Sequence, residues 1–324
     1  MTSAGHVIAL CGGVGGAKLA FGLTRLLDPE GLSLIVNTGD DFEHLGLTIC
    51  PDLDTVTYTL AGLADRERGW GLAGETWNFM AQLRKLGGEH WFNLGDKDLA
   101  LHVERTQRLA AGQSLSQVTA GVTAALGLRH AIVPMSDQPV RTIVDTIDGP
   151  LPFQHYFVRE QCRPVARGIS FAGAEQSVPS PAFTAALGRQ DVAAVIICPS
   201  NPYLSIDPIL AIPGVADALA RLDAPVVAVS PIIGGRALKG PAAKLLAELG
   251  GLSGVTAVAA HYAGLVDGLV IDESDACEAD RLRETGIAAL VAPSVMTSDD
   301  DRIRLARDTL AFATGLTRRE LRRA

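Results

Sequence analysis

The stretch Val7-Ile8-Ala9-Leu10-Cys11-Gly12-Gly13-Val14-Gly15-Gly16-Ala17-Lys18-Leu19, followed by Leu32-Ser33-Leu34-Ile35-Val36, decides the fold. Each apolar run is too continuous for a half-exposed strand and suits a strand buried on both faces, as in a parallel sheet. From about Ala17 to Leu27 the leucines at 19, 23, 26 and 27 recur at helical spacing. Strand, glycine loop, helix and strand make a βαβ unit. The glycine loop then opens at the carboxyl-end rim of the sheet, where open α/β sheets take their ligands.

The second strand runs into acids. Asn37-Thr38-Gly39-Asp40-Asp41 and Cys50-Pro51-Asp52-Leu53-Asp54-Thr55 place four aspartates within 15 residues, just past a strand end. Hard oxygen ligands at such a rim suit Mg²⁺, which takes one or two carboxylates plus substrate phosphates and water. One carboxylate can instead receive a proton from an attacking hydroxyl. Asp54 has a second reading, as the N-cap of a helix starting at Thr55. Gly12, Gly13, Gly15 and Gly16 permit close approach of a ligand to the backbone, and the N–H groups at the following helix start attract anions. The loop departs from the dinucleotide fingerprint, having Lys18 where the third glycine belongs. It also departs from the P-loop, because Leu19 follows Lys18. The alternative is a tight turn needed only for packing.

Farther along, helical spacing dominates: Thr55–Leu63, Thr76–Leu86, Leu99–Ala111 and Leu115–Leu126, with Asp98 and Ser114 as caps of the last two. Between about 131 and 171 the pattern turns to strands, at Ile132–Met135, Thr142–Thr146, Phe153–Val158 and Val165–Phe171. The α/β alternation then resumes. Val192–Cys198, Val226–Val229, Val255–Ala259 and Gly268–Ile271 read as strands, and Ala242–Leu249 and Asp300–Phe312 as helices. The expectation is one domain over residues 1–324, α/β and Rossmann-like. Its mainly parallel sheet is flanked by helices, with a helical insertion at about 55–128 and an antiparallel β insertion at about 131–171.

Two later strand ends carry loops of ligand type, Pro199-Ser200-Asn201-Pro202 and Ser230-Pro231-Ile232-Ile233-Gly234-Gly235-Arg236. Lys239 and Lys244, around the start of the next helix, are candidates for a diphosphate. Gly95-Asp96-Lys97-Asp98 and Pro134-Met135-Ser136-Asp137 read as turns. His102 and Arg105 share a helical face that reads as solvated. Trp70, Trp77 and Trp91 fall in the helical region, as core or as the wall of an aromatic pocket. The four arginines of Thr317–Ala324 read as a solvated helix end.

A net charge of −8 argues against a nucleic-acid groove, while a bound metal leaves room for a phosphorylated small substrate. Five widely spaced cysteines without a C-x-x-C argue against a disulfide framework or structural zinc. No apolar run reaches membrane-spanning length, and Met1–His6 lacks the basic region of a leader, so the expected location is cytoplasmic.

On these motifs together the chain resembles the CofD family, the 2-phospho-L-lactate transferases of coenzyme F-420 biosynthesis, over nearly its whole length. The carriers are Gly12–Leu19, Asn37–Asp41, Cys50–Thr55, Leu94-Gly95-Asp96, Pro134–Asp137, Pro199–Pro202 and Ser230–Gly235. The resemblance implies a Mg²⁺-dependent homodimer acting on small molecules. Such an enzyme moves a phospho-three-carbon acid, 2-phospholactate or phosphoenolpyruvate, from a guanosine diphosphate-linked donor to the ribityl hydroxyl of 7,8-didemethyl-8-hydroxy-5-deazariboflavin (Fo), releasing GMP. It implies Asp40 as metal ligand and reacting-centre residue with Asp41 beside it, and Asp52 joins Asp40 as the second metal carboxylate. It implies Asp54 and Asn93 as deazaflavin contacts, although some family members carry a basic residue at position 93. The donor would be held by Gly13, Gly15, Gly16, Lys18, Ser200, Asn201, Gly234, Gly235 and Lys239. Asp207 stands where the family pattern has glycine, either disturbing the diphosphate or turning outward.

Two rivals remain at this level. A non-catalytic, nucleotide-sugar-binding regulator of the gluconeogenesis factor type shares the glycine loop and the Asp-Asp segment. Pro51–Thr55 with Leu94-Gly95-Asp96 favours the transferase. A nicotinamide-dependent oxidoreductase shares the βαβ opening, and the missing third glycine counts against it. The three-carbon acid and any general base are not legible.

Overall fold

A computed structural model describes residues 5–237 and 240–316. In chain order the elements are β1 (His6–Cys11), α1 (Gly13–Thr24), β2 (Leu32–Val36), β3 (Phe42–His44), β4 (Leu47–Ile49), α2 (Pro51–Leu60), α3 (Asn78–Lys85), α4 (Asp98–Ala110) and α5 (Leu115–Ala125). They continue with β5 (Ile132–Pro134), β6 (Arg141–Thr146), β7 (Gly149–Pro152), β8 (Ala166–Ala172), α6 (Pro181–Leu187), β9 (Val192–Ile197), α7 (Asp207–Leu210), α8 (Val215–Arg221) and β10 (Val226–Val229). The last are β11 (Ile232–Ile233), β12 (Arg236–Ala237), α9 (Ala242–Gly250), α10 (Gly254–His261), β13 (Gly268–Ile271), α11 (Ala279–Glu284), β14 (Ala288–Val291) and α12 (Asp299–Gly315).

Seven strands form one parallel sheet in the order β14-β13-β10-β9-β1-β2-β5. Numbered by chain order within that sheet they read 7-6-5-4-1-2-3, the doubly wound Rossmann-like arrangement with one extra strand. The order reverses between β1 and β9, which are neighbours. β1 is buried at every position, and its alternate residues feed two apolar clusters, one on each sheet face. The continuous apolar run is thus explained by burial on both sides.

Several sequence expectations change. Ile132–Pro134 pairs with β2 in the main sheet, so the antiparallel unit begins only at Arg141, as β7-β6-β8. Phe153–Val158, expected as a strand, ends instead in a π-helical turn at His155–Arg159. Val255–Ala259, also expected as a strand, lies within helix α10. Such short apolar runs fit a buried strand or a buried helix equally well. Helix α2 begins at Pro51, with proline in its first turn, so Asp54 sits inside the helix and is not its N-cap. Asp98 is likewise the first residue of α4 and not its cap, whereas Ser114 does cap α5 in a full capping box. The arginine-rich Thr317–Ala324 and Lys239 lie outside the described residues. Among those described, no single helix is long and apolar enough to cross a membrane.

Candidate active site

The glycine stretch is the first turn of α1 rather than a free loop. Gly13 enters the helix at φ +63°, a conformation that favours glycine. At Gly15 a Cβ would collide with the carbonyl oxygen of Pro199, so the small residue lets the loop after β9 close on the loop after β1. Ser200 ties the two together: its buried hydroxyl accepts from Gly12 N–H at 3.1 Å and donates to Gly12 O at 2.9 Å. Asn201 Oδ1 accepts from the N–H groups of Tyr203 and Leu204 and fixes the turn that follows. These contacts set the floor of the switch-point crevice.

Against this floor stands a carboxylate pair. Gly13 N–H donates to Asp52 Oδ1 at 2.7 Å. The Asn37 side-chain amide donates to Asp40 Oδ1 at 3.0 Å, Asp52 Oδ2 at 2.9 Å and Leu204 O at 3.2 Å, and its own oxygen accepts from Gly39 N–H. Asn37, fully buried at the end of β2, is the organiser of the site and received no role from the sequence. Its only signal was its position at the head of the acidic segment. Burial and the neighbouring Asp52 charge push the Asp40 carboxyl well above the usual carboxylate range. Burial pushes Asp52 to about 6 against the bonds from Asn37 and Gly13. Two neighbouring buried acids resist being charged together.

Asp40, Asp52 and Asp54 line one cavity of about 1060 Å³ together with Gly12, Gly13, Gly15, Lys18, Ser200 and Asn201. The carboxylates and the glycine turn therefore share a single space. Asn93 also lies on its wall, where its Oδ1 accepts from Arg84. Lys18 reaches the 294–297 loop, donating to Met296 O at 2.8 Å. Four expected site residues lie off the wall. Gly16 packs against Ser200 and Cys11. Gly234 N–H is taken by Asp275, and Gly235 follows it in the turn between β11 and β12. Asp41 is buried behind the wall, where burial raises its carboxyl to about 7 although Arg141 pulls the other way. Asp207 turns from the cavity to His261, 2.8 Å away, and Lys244 is engaged by Tyr156, Pro164 O and Glu248. Of the tryptophans only Trp70 reaches the cavity, beside Phe92, Phe153 and Phe157, the last two stacked at 5.4 Å.

The face carrying His102 and Arg105 is not solvated. Arg105 is buried and makes a two-pronged ion pair with Asp54. Burial works against the charge on both partners. The Asp54 carboxylate outweighs it for Arg105, whose guanidinium is held charged, while Asp54 stays somewhat above its ordinary range. Asp54, Asp98 and His102 also offer ligand atoms within 4.8 Å of one another, but the guanidinium already neutralises Asp54 there.

Sheet order and cavity together define a Rossmann-like α/β protein with a nucleotide-sized cleft at its switch point. The family described as 2-phospho-L-lactate transferase CofD matches residues 7–303, and the chain belongs to that transferase family. It is 41% identical to the phosphoenolpyruvate transferase of Streptomyces coelicolor over 95% of this chain and 98% of that one. It is 37% identical to the phosphoenolpyruvate transferase of Mycolicibacterium smegmatis, over 95% and 98% respectively. A crystal structure of a UPF0052 family member from Bacillus halodurans superposes with a TM-score of 0.65 at 15% identity, covering 96% of this chain and all of that one, and shares the fold.

Proposed function

We propose that the protein transfers a phosphoenolpyruvyl group from a guanosine diphosphate-linked donor to the terminal ribityl hydroxyl of Fo, in coenzyme F-420 biosynthesis. The new bond joins the ribityl oxygen to the phosphorus that carries the enolpyruvyl ester. The anhydride bond to the second phosphorus breaks, GMP leaves, and the hydroxyl proton passes to a carboxylate or water. The observation that carries this reading is the shared cavity, with the Asp40–Asp52 pair against the first turn of α1 and Asp54 on the same wall. The enolpyruvyl choice over phospholactate rests on the names of the relatives.

The site fits a divalent cation. Asp40 and Asp52 are bridged by one amide and both are buried, where burial and the neighbouring Asp52 charge disfavour a charged Asp40. Hard carboxylates on a phosphate-sized cleft are the donor set Mg²⁺ takes. Bound there, Mg²⁺ would neutralise charge on the diphosphate. The chain's own residues hold the geometry. Asn37 fixes both carboxylates, Gly13 N–H orients Asp52, and the Ser200–Gly12 clasp keeps the floor rigid. Phosphoryl transfer needs this positioning and charge neutralisation more than covalent help. The residue set proposed for the donor is Gly13, Gly15, Lys18, Ser200 and Asn201, and for the acceptor Asp54 and Asn93. A homodimer in the cytoplasm completes the proposal.

The test is mass spectrometry of the product made from Fo, Mg²⁺ and each guanylylated three-carbon acid in turn. The expected product is Fo plus enolpyruvyl phosphate, made fastest from the enolpyruvyl donor. Faster turnover of the lactyl donor overturns the choice of acid. No adduct from any donor overturns the transferase reading.

A further inference from the structure

Two helical stripes meet at the wall of the cavity. On α2, Asp54 and Tyr58 are four residues apart; on α4, Asp98, His102 and Arg105 follow at four and three, so each set shares a face. The five polar groups form a chain from Tyr58 to Asp54. Tyr58 OH donates to Asp98 Oδ1. Asp98 Oδ2 lies 3.5 Å from His102 Nε2. His102 Nδ1 faces the Arg105 guanidinium at 3.4 Å, and Arg105 binds both oxygens of Asp54. A guanidinium can only donate, so Nδ1 is the accepting nitrogen and Nε2 faces the Asp98 carboxylate. The backbone anchors the chain as well: Arg105 donates to Thr48 O, and Asp98 N–H donates to Glu75.

Tyr58, Asp98 and His102 lie on the cavity wall with Asp54, while Arg105 stands behind it. The cavity therefore meets acceptor groups whose orientation is fixed from behind. Asp54 and Asp98 present carboxylates on this part of the wall, and the Arg105 guanidinium behind them is engaged by Asp54. These carboxylates disfavour the phosphates and carboxylate of a donor and accept hydrogen bonds from a phosphate-free ligand rich in hydroxyl and N–H groups. The aromatic side chains of Trp70, Phe92 and Phe153 on the same cavity suit a flat ring.

We infer that Tyr58, Asp98 and His102 are positioning residues of the acceptor subsite: with Arg105 they lock Asp54 in one orientation and reserve this part of the cavity for the phosphate-free substrate. The inference rests on the proposed acceptor reading of Asp54. It is tested by equilibrium dialysis of Fo and, separately, of GDP against the wild type, Tyr58→Phe and His102→Gln, with the melting temperature of each. Tyr58→Phe removes one hydroxyl and preserves the ring volume, so it guards against loss of folding in His102→Gln. The expected result is Fo affinity weakened by about three- to tenfold in both variants, GDP affinity within about twofold, and melting temperatures within about 3 °C. A purely structural role would shift melting temperature without separating the two ligands. Unchanged Fo affinity in Tyr58→Phe, or an equal loss for GDP, overturns the inference while the wild type still binds Fo. A wild type that does not bind Fo removes the acceptor reading itself, and the inference with it.

Discussion

Replacing Asp40 by asparagine is expected to lower turnover by about a thousandfold or more, ~4 kcal/mol in transition-state stabilisation, because the proposed cation at the diphosphate would lose a carboxylate. The same variant should be as stable as the wild type without metal, or more so. Asparagine keeps an oxygen for the Asn37 amide, whereas the native carboxyl is disfavoured by burial and by Asp52 beside it. Lower activity with equal or higher stability is the signature of a group retained for function at a cost to the fold. A stopped assay at saturating Mg²⁺ together with a thermal melt reads both quantities. Retained Mg²⁺-dependent turnover would remove Asp40 from the metal role, and a large drop in melting temperature would make it structural.

The second large effect concerns the ion pair. Arg105→Ala leaves Asp54 buried without its partner, which costs about 3–5 kcal/mol. The loss depends on pH with a definite sign. Asp54 already has a folded-state pKa raised by burial, and loss of the guanidinium raises it further. A carboxyl with a raised folded value is no burden below its unfolded pKa of about 4, where both states are protonated. It costs stability increasingly as pH rises through that value and on to the folded one. The difference in urea midpoint between wild type and Arg105→Ala should therefore be larger at pH 7.5 than at pH 5. A difference that shrinks as pH rises would show that the guanidinium acts elsewhere.

The parts of the fold that were legible were those with a long signal. Two continuous apolar runs around a glycine turn were enough for the βαβ unit, and strand ends were enough to put Asp40, Asp52 and Ser200 on one rim. Short apolar runs were not. Val255–Ala259 became helix because five residues carry too little periodicity to distinguish the two states. Ile132–Pro134 joined the parallel sheet because strand pairing is set by the crossover and not by composition. The glycines carried less ligand information than their spacing suggested. Gly13 answers a backbone conformation, Gly15 a close approach of Pro199, and Gly16 a close approach of Ser200.

Partners distant in sequence were the hardest to read. The spacing of His102 and Arg105 on one face was visible, but nothing in it shows that α2 brings Asp54 opposite them, 51 residues from Arg105. Asn37 escaped for a related reason: its amide serves acids three and 15 residues away and a carbonyl 167 residues away, a role that exists only once the rim is assembled.

The proposed cation site at the carboxylate pair can be tested directly by titrating Mn²⁺ into the wild type, Asp40→Asn and Asp52→Asn in the presence of GDP, with free ion followed by electron paramagnetic resonance. The account predicts one tightly held ion per chain in the wild type and loss of that ion in both variants. Undiminished binding in both would contradict it.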